Sequence, residues 1–111
     1  MFPLHDAIER GIPCEVAFAA TVTSQPHFFY GSRTHAEHES FYVRARDGTA
    51  LEVVDNVLLA PPVPVHAGDE IRLKGELIPA ARSGPIVHWT HHDPAHRHPD
   101  GYIDLAGRRY A

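Results

Sequence analysis

From Cys14 to Thr23 the chain alternates, with Cys14, Val16, Phe18, Ala20 and Val22 on one side and Glu15, Ala17, Ala19, Thr21 and Thr23 on the other. A period of two sustained over ten positions describes a strand with one buried face, and a helix cannot satisfy it. The same period returns at Ser40 to Arg46, where Phe41, Val43 and Ala45 oppose Tyr42, Arg44 and Arg46. It returns at Ala50 to Val54, and again where Ile71, Leu73, Gly75 and Leu77 oppose Arg72, Lys74 and Glu76. Strands that each hide one face must share that face, so the chain is constrained to a sandwich or a small barrel.

The punctuation between strands is equally local. Asp47-Gly48 is tight-turn chemistry, because glycine accepts the positive φ that hairpin turns require. Ala60-Pro61-Pro62-Val63-Pro64 reads as an extended connector, since proline lacks an amide hydrogen and fixes φ. The turn His66 to Asp69 precedes the fourth strand, and the loop Pro79 to Pro85 leads into a fifth that runs from Ile86 to about His91. Tyr102 to Tyr110 adds a short final strand or hairpin around Gly107. Phe2 to Arg10 is a short helix, entered at Pro3 and ended by Gly11. Ser24 to Glu39, with Gln25-Pro26 and Gly31-Ser32, reads as a long hairpin loop that exposes Phe28, Phe29 and Tyr30.

The expected fold is all-β. It is a single domain over residues 1–111, a small five-stranded Greek-key barrel of the oligonucleotide/oligosaccharide-binding (OB-like) type, with a short N-terminal helix and a histidine-rich C-terminal segment. An SH3-like barrel or an open sandwich is the competing topology. One cysteine excludes an internal disulfide, and Cys14 falls on the apolar side of its strand, where a thiol is inert packing. No stretch reads as a secretory signal or a membrane span, so a cytoplasmic protein without membrane partners is expected.

Val87 to Ile103 breaks the pattern. It holds five of the ten histidines, the only tryptophan (Trp89), and both Asp93 and Asp100. A packed core does not ask for such a run, because each buried imidazole needs a partner for its ring nitrogens. One reading is a divalent-metal site, with zinc the expected ion: His91 or His92 meets His96 and His98, and His35 or His38 from the long loop, or Asp55, completes the set. No established zinc spacing accompanies them. A second is metal-free acid–base chemistry, pairing His91 or His92 with Asp93 or Asp100. A third makes the histidines a polar rim, with His98-Pro99-Asp100-Gly101 as a type I turn. Tyr30, Arg33, His35, Asp55 and Trp89 are the candidate ligand contacts.

The run His88-Trp89-Thr90-His91-His92-Asp93-Pro94, followed by His98-Pro99-Asp100-Gly101-Tyr102-Ile103, resembles the closing motif of a bacterial domain-of-unknown-function family, number 3465. Weaker matches precede it at Gly31-Ser32-Arg33, His38 to Phe41, Leu58 to Pro61, Gly68-Asp69 and Gly75-Glu76. The resemblance implies a small barrel with a histidine-rich end and supplies no reaction. The chain departs from the pattern at Asp55-Asn56, where family members tend to carry a histidine before the asparagine, and in extra residues between Arg33 and His38. Asp55 stands as the substitute for the missing histidine.

The functional expectation is a zinc-binding or related divalent-metal barrel, with hydrolysis of phosphodiesters or other esters as the reaction class if a coordination position stays open. The alternative is a non-catalytic module for single-stranded nucleic acid or a small anionic ligand. In that reading Phe28, Phe29, Tyr30 and Tyr42 stack on bases, and Arg33, Arg44, Arg46, Arg72 and Lys74 meet phosphates. A formal charge of −4 with neutral histidines disfavours a nucleic-acid partner.

Overall fold

The computed structural model describes residues 1–111. Helix α1 (Leu4–Arg10) precedes eight strands: β1 (Cys14–Val22), β2 (His27–Gly31), β3 (Ala36–Ala45), β4 (Ala50–Asn56), β5 (Glu70–Ile78), β6 (Ile86–His88), β7 (Tyr102–Leu105) and β8 (Arg108–Tyr110). Strands β1, β3, β4, β6 and β5 pair in that order, and β5 pairs back to β1 to close the barrel. The β4–β6 pairing is parallel and the others are antiparallel. This is the five-stranded Greek-key barrel that the alternation predicts, and the closed strand order removes the open sandwich from consideration.

Two long strands, β3 and β5, do the closing. β5 gives one whole edge to β1, from Glu70 opposite Thr21 to Leu77 opposite Cys14. It divides the other between β6 and β7. β3 gives one edge to β4 and divides the other between β1 and β2. The inward residues match the alternation: Val16, Ala20, Val22, Phe41, Val43, Leu51, Val53, Ile71, Leu73, Leu77 and Val87 are buried and form one core with Ile103 and Tyr110. Helix α1 seats Leu4 and Ala7 against that core and ends at Gly11, whose φ of 71° is the left-handed cap conformation. Cys14 is a free thiol packed at the core's edge. No helix is long and apolar enough to cross a membrane.

Two expectations require correction. Residues 24–39 are not one loop: His27–Gly31 pairs with Ala36–Ser40 as a second hairpin, and its tip turns at His35, which takes a φ of 53°. The pairing left no alternating signature, because Phe28, Phe29 and Tyr30 are all exposed, at 47%, 36% and 62%. The strand expected to run from Ile86 to His91 ends at His88, because Trp89 adopts a left-handed φ of 55° and turns the chain across the barrel end. The proline connector also does more than connect. Val63 and Val65 are buried and plug the barrel beside Glu39.

Candidate metal centre and adjoining cleft

Register sets the site. Glu15 on β1 lies opposite Glu76 on β5, and Glu76 lies opposite His88 on β6, so the three side chains share one outward row across three strands. The loop after Trp89 then lays His98 over that row. The His98 Nε2 stands 3.6 Å from Glu76 Oε2 and 3.8 Å from Glu15 Oε2. These ligand atoms of Glu15, Glu76 and His98 all lie within 4.8 Å of one another, and no other group of three or more His, Cys, Asp or Glu does so. His88 donates from Nε2 to, or shares a proton with, Glu76 Oε1 at 2.8 Å.

Three details set the electrostatics of the triad. The His98 Nδ1 lies 2.9 Å from the Pro99 carbonyl, which can only accept, so Nδ1 carries a proton and Nε2 is the ring nitrogen turned toward the glutamates. Glu15 Oε1 is buried with no partner. Burial pushes the Glu15 carboxyl above its ordinary range, against the pull of His98 and Lys74.

Asp93 builds the loop that carries His98. Its Oδ1 accepts from the Ala95 amide, and its Oδ2 accepts from the amides of Arg97 and His98, each at 2.9 Å. Those bonds hold its carboxyl below the usual carboxylate range. Asp100 Oδ1 takes the Asp93 amide and the His92 Nδ1. Both carboxylates considered as acid–base partners are thus engaged in holding the loop. Asp93→Ala is expected to free residues 95–98, read as loss of amide exchange protection at Ala95, Arg97 and His98 while β1 and β5 stay protected. Unchanged protection at those three amides would remove Asp93 from this role.

The histidines proposed as one ligand set do not converge. His92 pairs with Asp100 and meets His96 edge to ring, with centroids 5.4 Å apart. His91 bonds through Nδ1 to the His92 carbonyl, and His38 through Nδ1 to the Ala36 carbonyl. His38 and His91 instead line a cleft of about 110 Å³ with Thr34, Val54, Asn56, Leu59, His88 and Trp89. Trp89 bridges the two places: its ring lies 4.2 Å from the His98 ring and nearly parallel to it, and 5.1 Å from that of His91. Tyr30, Arg33 and His35 stand on the β2–β3 hairpin and do not line the cleft. Glu15 and Glu76 escaped the sequence reading because each looks like an ordinary solvent-side residue of its strand. Only the β1–β5 register brings them together.

Asp55 lies on the inward face, opposite Glu39 in the β3–β4 register. Asp55 is 1% exposed and Glu39 is fully buried. Asp55 Oδ1 accepts from the Thr90 hydroxyl at 2.9 Å, and Glu39 Oε1 accepts from the Val63 amide at 2.8 Å. The second oxygen of each has no partner. Burial raises Glu39 to about 7, helped by the neighbouring charge of Asp55, and raises Asp55 itself to about 6.

Comparison with known families adds one finding. The model of a family described as a protein of unknown function, DUF3465, matches residues 25–111. The chain belongs to this family. The DUF3465 match contains Glu76, His98, Trp89 and the cleft, and begins beyond β1, so Glu15 lies outside it. No curated protein and no solved structure was found to match.

Proposed function

We propose that this DUF3465 protein binds a divalent transition-metal ion, zinc by preference, through His98, Glu15 and Glu76. The observation that carries the proposal is the spacing of the three ligand atoms. A tetrahedral ion with nitrogen and oxygen ligands at about 2.0–2.2 Å keeps them about 3.3–3.6 Å apart, and the His98–glutamate separations are 3.6 and 3.8 Å. The unpartnered Glu15 oxygen and the anchored His98 tautomer support the same reading. A zinc ion held by three protein ligands supplies an activated water, and hydrolysis of a phosphodiester or other ester is the reaction class that follows.

Trp89 gives the test, because it is the only tryptophan and its ring packs on that of His98. Cobalt(II) is expected to quench its fluorescence in a saturable, chelator-reversible titration, and zinc is expected to compete. Elemental analysis should find about one ion per chain, lost in His98→Ala and in Glu15→Gln/Glu76→Gln, and retained in His92→Ala/His96→Ala. Stoichiometric metal in His98→Ala would overturn the site.

A second reading has one observation behind it. The exposed aromatics Phe28, Phe29 and Tyr30 occupy an edge strand, with Tyr42 exposed on β3. They support a stacking surface for single-stranded nucleic acid. Binding through phosphates predicts an affinity that falls steeply with added salt and with Phe28→Ala/Tyr30→Ala.

A further inference from the structure

The cleft beside the triad has a composition of its own. Its titratable lining is imidazole only, from His38, His88 and His91, and no carboxylate lines it. His88 is committed to Glu76. Of the other two rings, His91 has no partner on its Nε2. His91 is 3% exposed and His38 is 8% exposed, and each gives its Nδ1 proton to a backbone carbonyl. The His91 Nε2 has no hydrogen-bond partner, and His91 lines the cleft. The His38 Nε2 has only the Thr34 hydroxyl, at 3.4 Å. That hydroxyl lies equally far from the Gly31 carbonyl, so neither bond is short enough to hold its proton against a ligand.

Asn56 adds a donor. Its Oδ1 accepts from the Leu58 amide at 3.0 Å, so its NH₂ group is what remains for a ligand. The cleft therefore combines two imidazole lone pairs, an amide donor and a hydroxyl. Its volume is that of three or four waters at about 30 Å³ each, the scale of one hydrated oxyanion.

We infer that this cleft binds a phosphoryl group that still carries a proton, as inorganic phosphate or the end of a phosphomonoester. A fully ionised anion would meet imidazole lone pairs with nothing to offer them. A phosphoryl oxygen bearing a proton donates it to Nε2 of His91 or His38, while its other oxygens accept from the Asn56 NH₂ and the Thr34 hydroxyl. The ring N–H to carbonyl bonds hold each imidazole in place whether the shared proton rests on the ligand or on the ring. The site stands whether or not the neighbouring triad takes a metal.

The test uses metal-depleted full-length protein at pH 7, titrated with inorganic phosphate and followed by Trp89 fluorescence and by calorimetry. Saturable binding is expected, with sulfate and dimethyl phosphate, which have no proton to give at that pH, at least about tenfold weaker. His91→Asn should weaken phosphate by about 10- to 100-fold, the worth of one hydrogen bond to a charged group. Because His91 is buried, Asn56→Asp serves as the second variant: it keeps the acceptor for the Leu58 amide and replaces the donor with a negative charge, and should abolish binding. Repeated at about pH 5.5, where a monoester still carries its proton, methyl phosphate binding more tightly than inorganic phosphate would assign the site to a monoester, and the reverse order to the free ion. Sulfate binding as tightly as phosphate, or phosphate binding undiminished in Asn56→Asp, would overturn the assignment. Metal uptake is not read in this experiment, so its failure is distinct from failure of the zinc site.

Discussion

Gly101→Ala is expected to destabilise the protein by about 3 kcal/mol or more, the upper end of what overpacking costs. The reason is a crossing of main chains. A Cβ at Gly101 would collide with the Trp89 carbonyl oxygen, and would stand 2.5 Å from the Lys74 carbonyl oxygen and 2.9 Å from the Thr90 Cα. Every one of these is backbone, so no side-chain rotation relieves the contact. The same crossing is pinned by the Gly101 amide donating to the His91 carbonyl at 2.9 Å. Thermal denaturation followed by circular dichroism should show a melting temperature lower by roughly 10–20 °C for a domain of this size. Metal uptake should fall with it, since the displaced segment carries His98. A melting temperature within about 2 °C of the native protein's would mean that the chain does not cross here.

The second large effect is a stability that falls as pH rises from about 4.5 to about 7. Glu39 and Asp55 are raised by burial to about 7 and about 6, so between the ordinary carboxylate range and those values the folded protein holds protons that the unfolded chain has released. Unfolding then releases protons, and raising the pH favours it. A tenfold change in proton affinity is worth about 1.4 kcal/mol, so ionising each of the two costs on the order of 3 kcal/mol. Below pH 4 the sign reverses: Asp47, Asp93, Asp100 and Asp104 are held below their ordinary values, and the stability they lend is lost as they protonate. Maximum stability is therefore expected at about pH 4 to 4.5.

Glu39→Gln isolates the buried pair from the histidines. The amide keeps an oxygen for the Val63 amide and has no proton to lose in this range. Urea denaturation should find Glu39→Gln more stable than the native protein at pH 8, by about 1–3 kcal/mol, and nearly equal to it at pH 5. Equal pH dependence in both proteins would show that the pair does not hold the proton.

This acid pair has a structural consequence. Glu39 holds the connector through Val63, and Asp55 holds the segment after β6 through Thr90. Both are closures of one barrel end, and Thr90 sits between Trp89 and His91. The inward carboxylates thus support, from beneath, the segment whose outward side chains form the triad and the cleft.

Much of the barrel was legible locally. Alternation at Cys14 to Val22 and at Ile71 to Leu77 fixed which side chains face inward, because the side-chain period of a strand is a property of the backbone alone. Gly11, Asp47-Gly48 and the Ala106-Gly107 turn, with φ of 52° and 80°, marked ends and hairpins for equally local reasons. The resemblance of the closing motif to family 3465 was legible too, and the histidine-rich segment announced a site without locating its members. The β2 hairpin was not legible: both its faces reach solvent, so no burial pattern was imposed on it.

What the tertiary structure alone decided is which rows meet. Sequence places Glu15 and Glu76 on the outward faces of two strands 61 positions apart, and nothing local states that barrel closure pairs them. Nor does it state that the left-handed turn at Trp89 sends His98 back to that pair while leaving His38 and His91 in the cleft. Periodicity fixes the direction of a side chain relative to its own strand. Register and closure are set by the fit of all inward faces at once, and the outward chemistry follows wherever that packing puts it.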